Sequence, residues 1–128
     1  MQDTIRSSAD MPLTRALLMV DQEVESAVSD LSRMIAVDTS FPPGLGYDAF
    51  ADLMQELITP LGFTSERVVV PESLWHVQGG PASGRRTNLI ATRRTGKPTC
   101  GLYFHVDTVP AAPGWKTSPL SLTRDDDL

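Results

Sequence analysis

The chain has 128 residues, of which 41% are hydrophobic and 21% charged, and its 16 acidic against 11 basic residues give a net charge of −5. This length and composition are typical of one soluble globular domain, or of part of one. The acidic balance argues against a nucleic-acid partner, because binding to phosphates needs clustered Lys and Arg. Cys100 is the single cysteine, which excludes an internal disulfide and any zinc module built from several cysteines.

No stretch of the sequence approaches the roughly 20 apolar residues that a membrane-spanning helix needs. The early apolar run at 16–20 is too short for the core of a signal peptide. We therefore expect a cytoplasmic chain without a membrane partner.

Two amphipathic helices are predicted in the first half of the chain, after a loosely ordered leader at residues 1–20. From Asp21, which can cap a helix, apolar residues recur at three- and four-residue steps to about Val37. The loop at 41–46 contains two prolines and two glycines and breaks the helical pattern. A second apolar face then runs from Phe50 to Leu61, and Pro60 with Gly62 ends it.

Strands are predicted in the second half. The β-branched run at 65–70 and the apolar run at 88–92 are typical of short strands. The turn-forming residues at 95–98 precede a third apolar and aromatic segment at 99–106, so a hairpin between the last two strands is the simplest arrangement. Cys100 would then be a buried thiol on this third strand.

His105 and Asp107 lie two residues apart near the end of that predicted third strand. Alternation along a strand places both side chains on one face and Val106 on the other, with the two Cα atoms ~6.6 Å apart. The carboxylate can then reach one imidazole nitrogen, which is how carboxylates orient histidines that bind zinc. Taken alone, the pattern also fits a hydrogen-bonded structural histidine.

The segment Leu-Tyr-Phe-His-Val-Asp-Thr-Val-Pro at 102–110, followed by Trp115 and Ser118-Pro119, resembles the first metal-binding motif of a known enzyme family. That family is the zinc-dependent exopeptidases and deacylases, which include acetylornithine deacetylase, succinyl-diaminopimelate desuccinylase, the glutamate carboxypeptidases and aminoacylase. The resemblance extends over about residues 24–128. It includes the post-helix loop at 39–44, the helix end at 61–63 and the strand at 88–91.

The resemblance implies an α/β fold, as the N-terminal portion of a zinc-exopeptidase-like catalytic domain with two helices packed on an incomplete mixed sheet. It implies that His105 binds one of two zinc ions and that Asp107 orients it, with cobalt or manganese as possible substitutes. The implied activity is metal-dependent hydrolysis of the amide bond in N-acyl amino acids or small peptides, as in the deacetylase and desuccinylase branch. The resemblance assigns no substrate-binding residues here.

The family pattern continues beyond Pro119 with a Tyr-Gly-Arg-Gly segment and a bridging aspartate, further carboxylate ligands and a late histidine, and it includes a dimerisation or lid domain. None of these follows in the 128 residues. We therefore expect residues 21–128 to be the first part of the catalytic domain, inactive alone, although full-length relatives are often homodimers. The alternative is an inactive fragment or a small interaction module.

Several other polar residues are weaker candidates for a site. His76, in a predicted loop, is expected to be exposed or locally packed, with a smaller chance of touching a metal or substrate. The acidic run at 125–127 is expected to be a solvated end, although carboxylates can bind metals. The arginine pairs at 85–86 and 93–94 are expected to be solvated at strand edges, although either pair could meet an anion.

Overall fold

The computed structural model describes residues 10–75, 84–96 and 99–125. Its elements are the helices α1 (Asp10–Ile35), α2 (Tyr47–Ile58) and α3 (Glu72–Trp75), a short 3-10 helix (Thr59–Leu61), and the strands β1 (Thr64–Val69) and β2 (Thr87–Thr92). Helices combined with a two-stranded sheet confirm the predicted α/β class. No helix in these ranges is both long enough and apolar enough to cross a bilayer.

The chain divides into two units, Met1–Leu31 and Ser32–Leu128. The described part of the first unit is helical. The second unit contains the last turn of α1 and all the other elements.

Helix α1 begins at Asp10, so the predicted start at Asp21 is wrong. Residues 1–9 of the predicted leader lie outside the described ranges. The helix extends upstream because Leu13, Leu17 and Val20 continue the apolar spacing of the later turns, and proline is tolerated in a first turn. These three side chains are more than half exposed.

Helix α2 carries the small core, and a 3-10 turn follows it. The buried apolar residues of the described ranges are Tyr47, Ala51 and Leu53, all on α2. Gly62 ends this segment as predicted. Its φ of 82° lies in the left-handed region that glycine tolerates, and its N–H donates to the Thr59 carbonyl at 3.0 Å.

The sheet is an antiparallel pair in which Thr64 lies opposite Thr92 and Val69 opposite Thr87. One further backbone bond, from the Val70 N–H to the Arg86 carbonyl at 2.8 Å, extends the pairing beyond the strands. Helix α2 lies against β2, where the Thr87 hydroxyl donates to the Asp48 carboxylate at 2.5 Å. The predicted strands at 65–70 and 88–92 are thus confirmed with shifts of one residue.

The predicted third strand at 99–106 is absent from the described residues, and the predicted hairpin with β2 is wrong. β2 pairs with β1 instead. The segment after the predicted turn pairs with the loop that follows α1, where Thr108 forms an isolated parallel bridge with Ser40. Leu102 and Tyr103 are 90% and 93% exposed as a result.

Since the core is small, we expect it to be sensitive to truncation of Leu53. Leu53→Ala should lower the free energy of unfolding by about 2 to 3 kcal/mol, because it removes buried methyl groups and leaves a cavity. Urea unfolding followed by far-ultraviolet circular dichroism measures the change. The matched control is Leu74→Ala, at a side chain 75% exposed, which should change it by less than about 0.5 kcal/mol. Equal losses in both variants would contradict the assignment of the core to α2.

Candidate functional site

His105 and Asp107 contact each other, although the strand from which the sequence predicts this contact is absent from the described residues. The His105 Nδ1 atom lies 3.4 Å from a carboxylate oxygen of Asp107 and 3.3 Å from the Asp107 backbone oxygen. The two side chains are 76% and 58% exposed, whereas Val106 between them is only partly exposed. In the tautomer protonated at Nδ1, the imidazole donates toward Asp107 and its Nε2 lone pair remains available to a ligand.

The segment carrying this pair is joined to the loop after α1 by three hydrogen bonds. The Thr39 hydroxyl donates to the Val106 carbonyl at 2.7 Å. On either side of the Ser40–Thr108 bridge, the Phe41 N–H donates to the Thr108 carbonyl at 2.8 Å and the Thr108 N–H donates to the Thr39 carbonyl at 3.4 Å. We call this set of three bonds the Thr39 clamp.

Asp38, which comes directly before Thr39, forms a turn with Ser40. The Ser40 N–H donates to the Asp38 carboxylate at 2.9 Å, in the pattern of an Asx turn. Hydrogen bonds from the Ser40 side chain and then from its backbone lower the pKa of the Asp38 carboxyl below its ordinary value. Both bonds favour the ionised form, so the turn is supported at neutral pH.

Arg86 holds the other end of this loop. Its guanidinium donates from Nη1 to the Gly44 carbonyl at 2.7 Å and from Nη2 to the Pro43 carbonyl at 3.1 Å. It also lies 4.5 Å from the ring centre of Trp75, 4.9 Å from that of Phe41 and 5.1 Å from that of Tyr47. These distances are within the range of cation–π attraction. The prediction that Arg86 is solvated at a strand edge is therefore wrong.

The close approach of the two backbones at this point requires a glycine. A Cβ atom placed on Gly84 would lie 2.5 Å from the Gly44 carbonyl oxygen, and its φ of 101° is strained for other residues. The chain before β2 can therefore pass directly beside the loop that Arg86 holds.

The pKa of Tyr47 depends on charges at both Arg86 and Asp107. Burial raises the pKa of its phenol above the ordinary value of 10.0, the charge of Arg86 opposes the rise, and the charge of Asp107 adds to it. Because both charges affect this pKa, the titration of Tyr47 is sensitive to the positions of Arg86 and Asp107.

The other predicted candidates do not join the pair. Cys100 is exposed, so the expected buried thiol is wrong, because residues 99–106 form no strand. His76 lies outside the described ranges, as do residues 126 and 127 of the acidic run, while Asp125 is exposed. Within those ranges, no group of three or more His, Cys, Asp or Glu side chains could hold a metal ion.

Thr39 and Arg86 are the residues whose contacts sequence reasoning missed. Thr39 and Val106 are 67 positions apart, and a threonine after a helix gives no sign of its partner. The aromatic partners of Arg86 are scattered over three separate segments. Their convergence depends on tertiary structure that local patterns do not encode.

Comparison with known proteins finds two curated enzymes similar to this chain. It is 33% identical to a succinyl-diaminopimelate desuccinylase of Sphingopyxis alaskensis over 87 residues, which cover 67% of the chain and 20% of that enzyme. It is 30% identical to a succinyl-diaminopimelate desuccinylase of Zymomonas mobilis over 95 residues, which cover 74% of the chain and 22% of that enzyme. The matches thus cover about a fifth of the length of each relative. No family model and no solved structure matches the chain.

The raised pKa of Tyr47 gives a test of the site's geometry. We expect the tyrosine of a Tyr103→Phe background to titrate above pH 10, followed by tyrosinate absorbance. Because the folded pKa is raised, this group's stabilising contribution is complete below the unfolded pKa near 10 and is lost as the pH rises through the folded pKa.

In the same background, Asp107→Asn should lower the pKa of Tyr47, because it removes a negative charge that disfavours the phenolate. Asp52→Asn is the matched control, since Asp52 is paired with Arg67 on the exposed surface, and it should leave the titration unchanged. An unchanged titration in Asp107→Asn would contradict the proximity of Asp107 to Tyr47.

Proposed function

We propose that this chain supplies part of the active site of a metal-dependent hydrolase that cleaves the amide bond of N-acyl amino acids or small peptides. Two succinyl-diaminopimelate desuccinylases with which it shares 30% to 33% identity support a deacylase-like hydrolase. The observation that carries the proposal is the contact of His105 Nδ1 with the Asp107 carboxylate at 3.4 Å, on a segment fixed by the Thr39 clamp.

The described residues fit one ligand position of a zinc site. Neutral imidazole is a common zinc ligand, and a metal-binding histidine usually donates its other N–H to a carboxylate or carbonyl. His105 has both kinds of acceptor beside Nδ1, from the same residue. Cobalt or manganese can occupy sites with similar ligands. Catalytic zinc takes three protein ligands. We propose that residues other than His105 and Asp107 supply the other two.

In this proposal each residue has a separate task. A bound metal would polarise the amide carbonyl and lower the pKa of water. His105 provides the Nε2 lone pair. Asp107 keeps the proton on Nδ1, which fixes the tautomer and makes the imidazole a stronger donor to a cation. The exposure of both side chains leaves room for substrate and for the other ligands.

The proposed substrate class follows the names of the two similar enzymes. A succinyl group attached to an amino acid through an amide is the substrate type those names describe. We propose N-succinyl or N-acetyl amino acids as the first substrates to assay, with small peptides as the broader class.

Hydrolysis can be tested in a chimera in which this chain replaces the segment that it matches in the Sphingopyxis alaskensis enzyme. We expect the chimera to hydrolyse N-succinyl-diaminopimelate, to lose activity with a chelator and to regain it with zinc or cobalt. His105→Ala should abolish hydrolysis because it removes a metal ligand. Asp107→Asn should lower kcat/KM by about 10- to 100-fold.

The matched control is Cys100→Ser, at an exposed side chain away from the pair, which should keep full activity. An active chimera in which His105→Ala keeps wild-type activity would contradict the proposed role of His105. A folded but inactive chimera that binds zinc normally would contradict the proposed hydrolase function.

A non-catalytic role is the second candidate, and the exposed apolar side chains favour it. Leu102 and Tyr103 are almost fully exposed, and Val20, Val24 and Leu31 form an exposed apolar stripe along α1. Exposed apolar surfaces of this kind commonly mark interaction sites. Sedimentation of the 128-residue chain over a concentration series tests whether these exposed side chains make the chain associate with itself. A monomer that remains soluble at high concentration would argue against a self-association module.

A further inference from the structure

We infer that Thr39 is a positioning residue for the candidate metal site, holding the peptide between His105 and Asp107 in the orientation that brings their side chains together. The inference rests on the proposed function for its consequence in catalysis, but its structural part is independent of it. The residue acts through the backbone of its neighbours and touches no reacting atom.

Thr39 is 5% exposed and is the buried polar residue of the described ranges. A buried hydroxyl is costly unless it has a hydrogen-bond partner. Its partner is the Val106 carbonyl at 2.7 Å, a short distance typical of a good hydroxyl bond. The hydrogen bond to the Val106 carbonyl therefore compensates the burial of the Thr39 hydroxyl.

The Val106 carbonyl belongs to the peptide unit that joins Val106 to Asp107, so fixing it restricts the backbone angles that separate His105 from Asp107. The other two bonds of the Thr39 clamp fix Thr108, the next residue. Asp107 is thus held from both sides through its neighbours.

Because the His105 and Asp107 side chains are 76% and 58% exposed, packing restricts them little, and their separation depends on the backbone. A contact of 3.3 to 3.4 Å is at the outer limit of hydrogen bonding, so a small rotation of this peptide breaks it.

Thr39 itself is held in place from its other side. The Asp38–Ser40 turn closes around it, and Arg86 fixes Pro43 and Gly44 a few residues later. The loop therefore presents the Thr39 hydroxyl to Val106 from a fixed position, as a supporting residue must.

The structural test uses the 128-residue chain and three variants at one position. Thr39→Val keeps the shape and removes the hydroxyl, Thr39→Ser keeps the hydroxyl and removes the methyl, and Thr39→Ala removes both. The readouts are the carbonyl carbon shift of Val106 and hydrogen exchange of the Thr108 amide. We expect both to change in Thr39→Val and Thr39→Ala and to stay near wild type in Thr39→Ser, while the β1–β2 amides keep their protection.

The functional test uses the chimera. We expect Thr39→Val to lower kcat about tenfold or more with little change in KM, because misplacement of a reacting group affects the transition state more than binding. Thr39→Ser should restore kcat. The rates of all variants are divided by the folded, zinc-loaded fraction of each chimera, because a loss of folded enzyme by itself also lowers the apparent kcat without changing KM.

The outcomes separate the two proposals. Wild-type Val106 and Thr108 signals in Thr39→Val overturn the positioning role, as does a Thr39→Ser variant that behaves like Thr39→Val. If Thr39→Val fails to fold, the comparison of Thr39→Ser with Thr39→Ala decides in the same way. Changed signals in a chimera that binds zinc but hydrolyses nothing, even with wild-type Thr39, would overturn the hydrolase function and leave the structural clamp supported.

Discussion

The arrangement of the candidate site depends on the contacts that the Arg86 guanidinium makes. It joins the residue before β2 to the carbonyls of Pro43 and Gly44 and lies among three aromatic rings from separate segments. Each hydrogen bond to a charged donor contributes about 1.5 to 3 kcal/mol, and each cation–π contact contributes about 0.5 to 2 kcal/mol. A lysine could not replace it, because only the planar fork can bond two carbonyls and stack on rings together.

The loop held by Arg86 also contacts the segment that carries His105 and Asp107. The loop that Arg86 fixes begins with the Asp38 turn and contains Thr39, whose hydroxyl and backbone hold Val106 and Thr108. The side chains of His105 and Asp107 are exposed, so in our proposal their contact depends on the support that this loop gives to the backbone. A site that needs one histidine nitrogen protonated and the other free is well served by such a support.

The sequence predicted the parts that local patterns determine. Apolar spacing identified α2 and its glycine end, β-branched runs identified both strands, and the two-residue step identified the contact of His105 with Asp107. The metal role of this pair is still a prediction. The start of α1 was missed because the apolar stripe continues through a segment that looked irregular.

The parts that depend on distant residues could not be predicted in this way. The third strand was expected from composition alone, but Thr108 pairs with Ser40 rather than extending the sheet, and Cys100 is exposed in consequence. The carbonyls that accept hydrogen bonds from the Thr39 and Arg86 side chains lie 42 to 67 positions away along the chain. No local pattern indicates which of many polar residues will meet across that distance.

The central claim is that Asp107 holds His105 with its Nε2 free to bind a metal, and ¹⁵N NMR of the imidazole tests it most directly. A His76→Gln variant leaves His105 as the one labelled histidine of the chain. The account predicts that, above the pH at which the ring is protonated, His105 is mainly the tautomer protonated at Nδ1, and that Asp107→Asn moves the population toward the tautomer protonated at Nε2. A ring already protonated mainly at Nε2, with no response to Asp107→Asn, would contradict it.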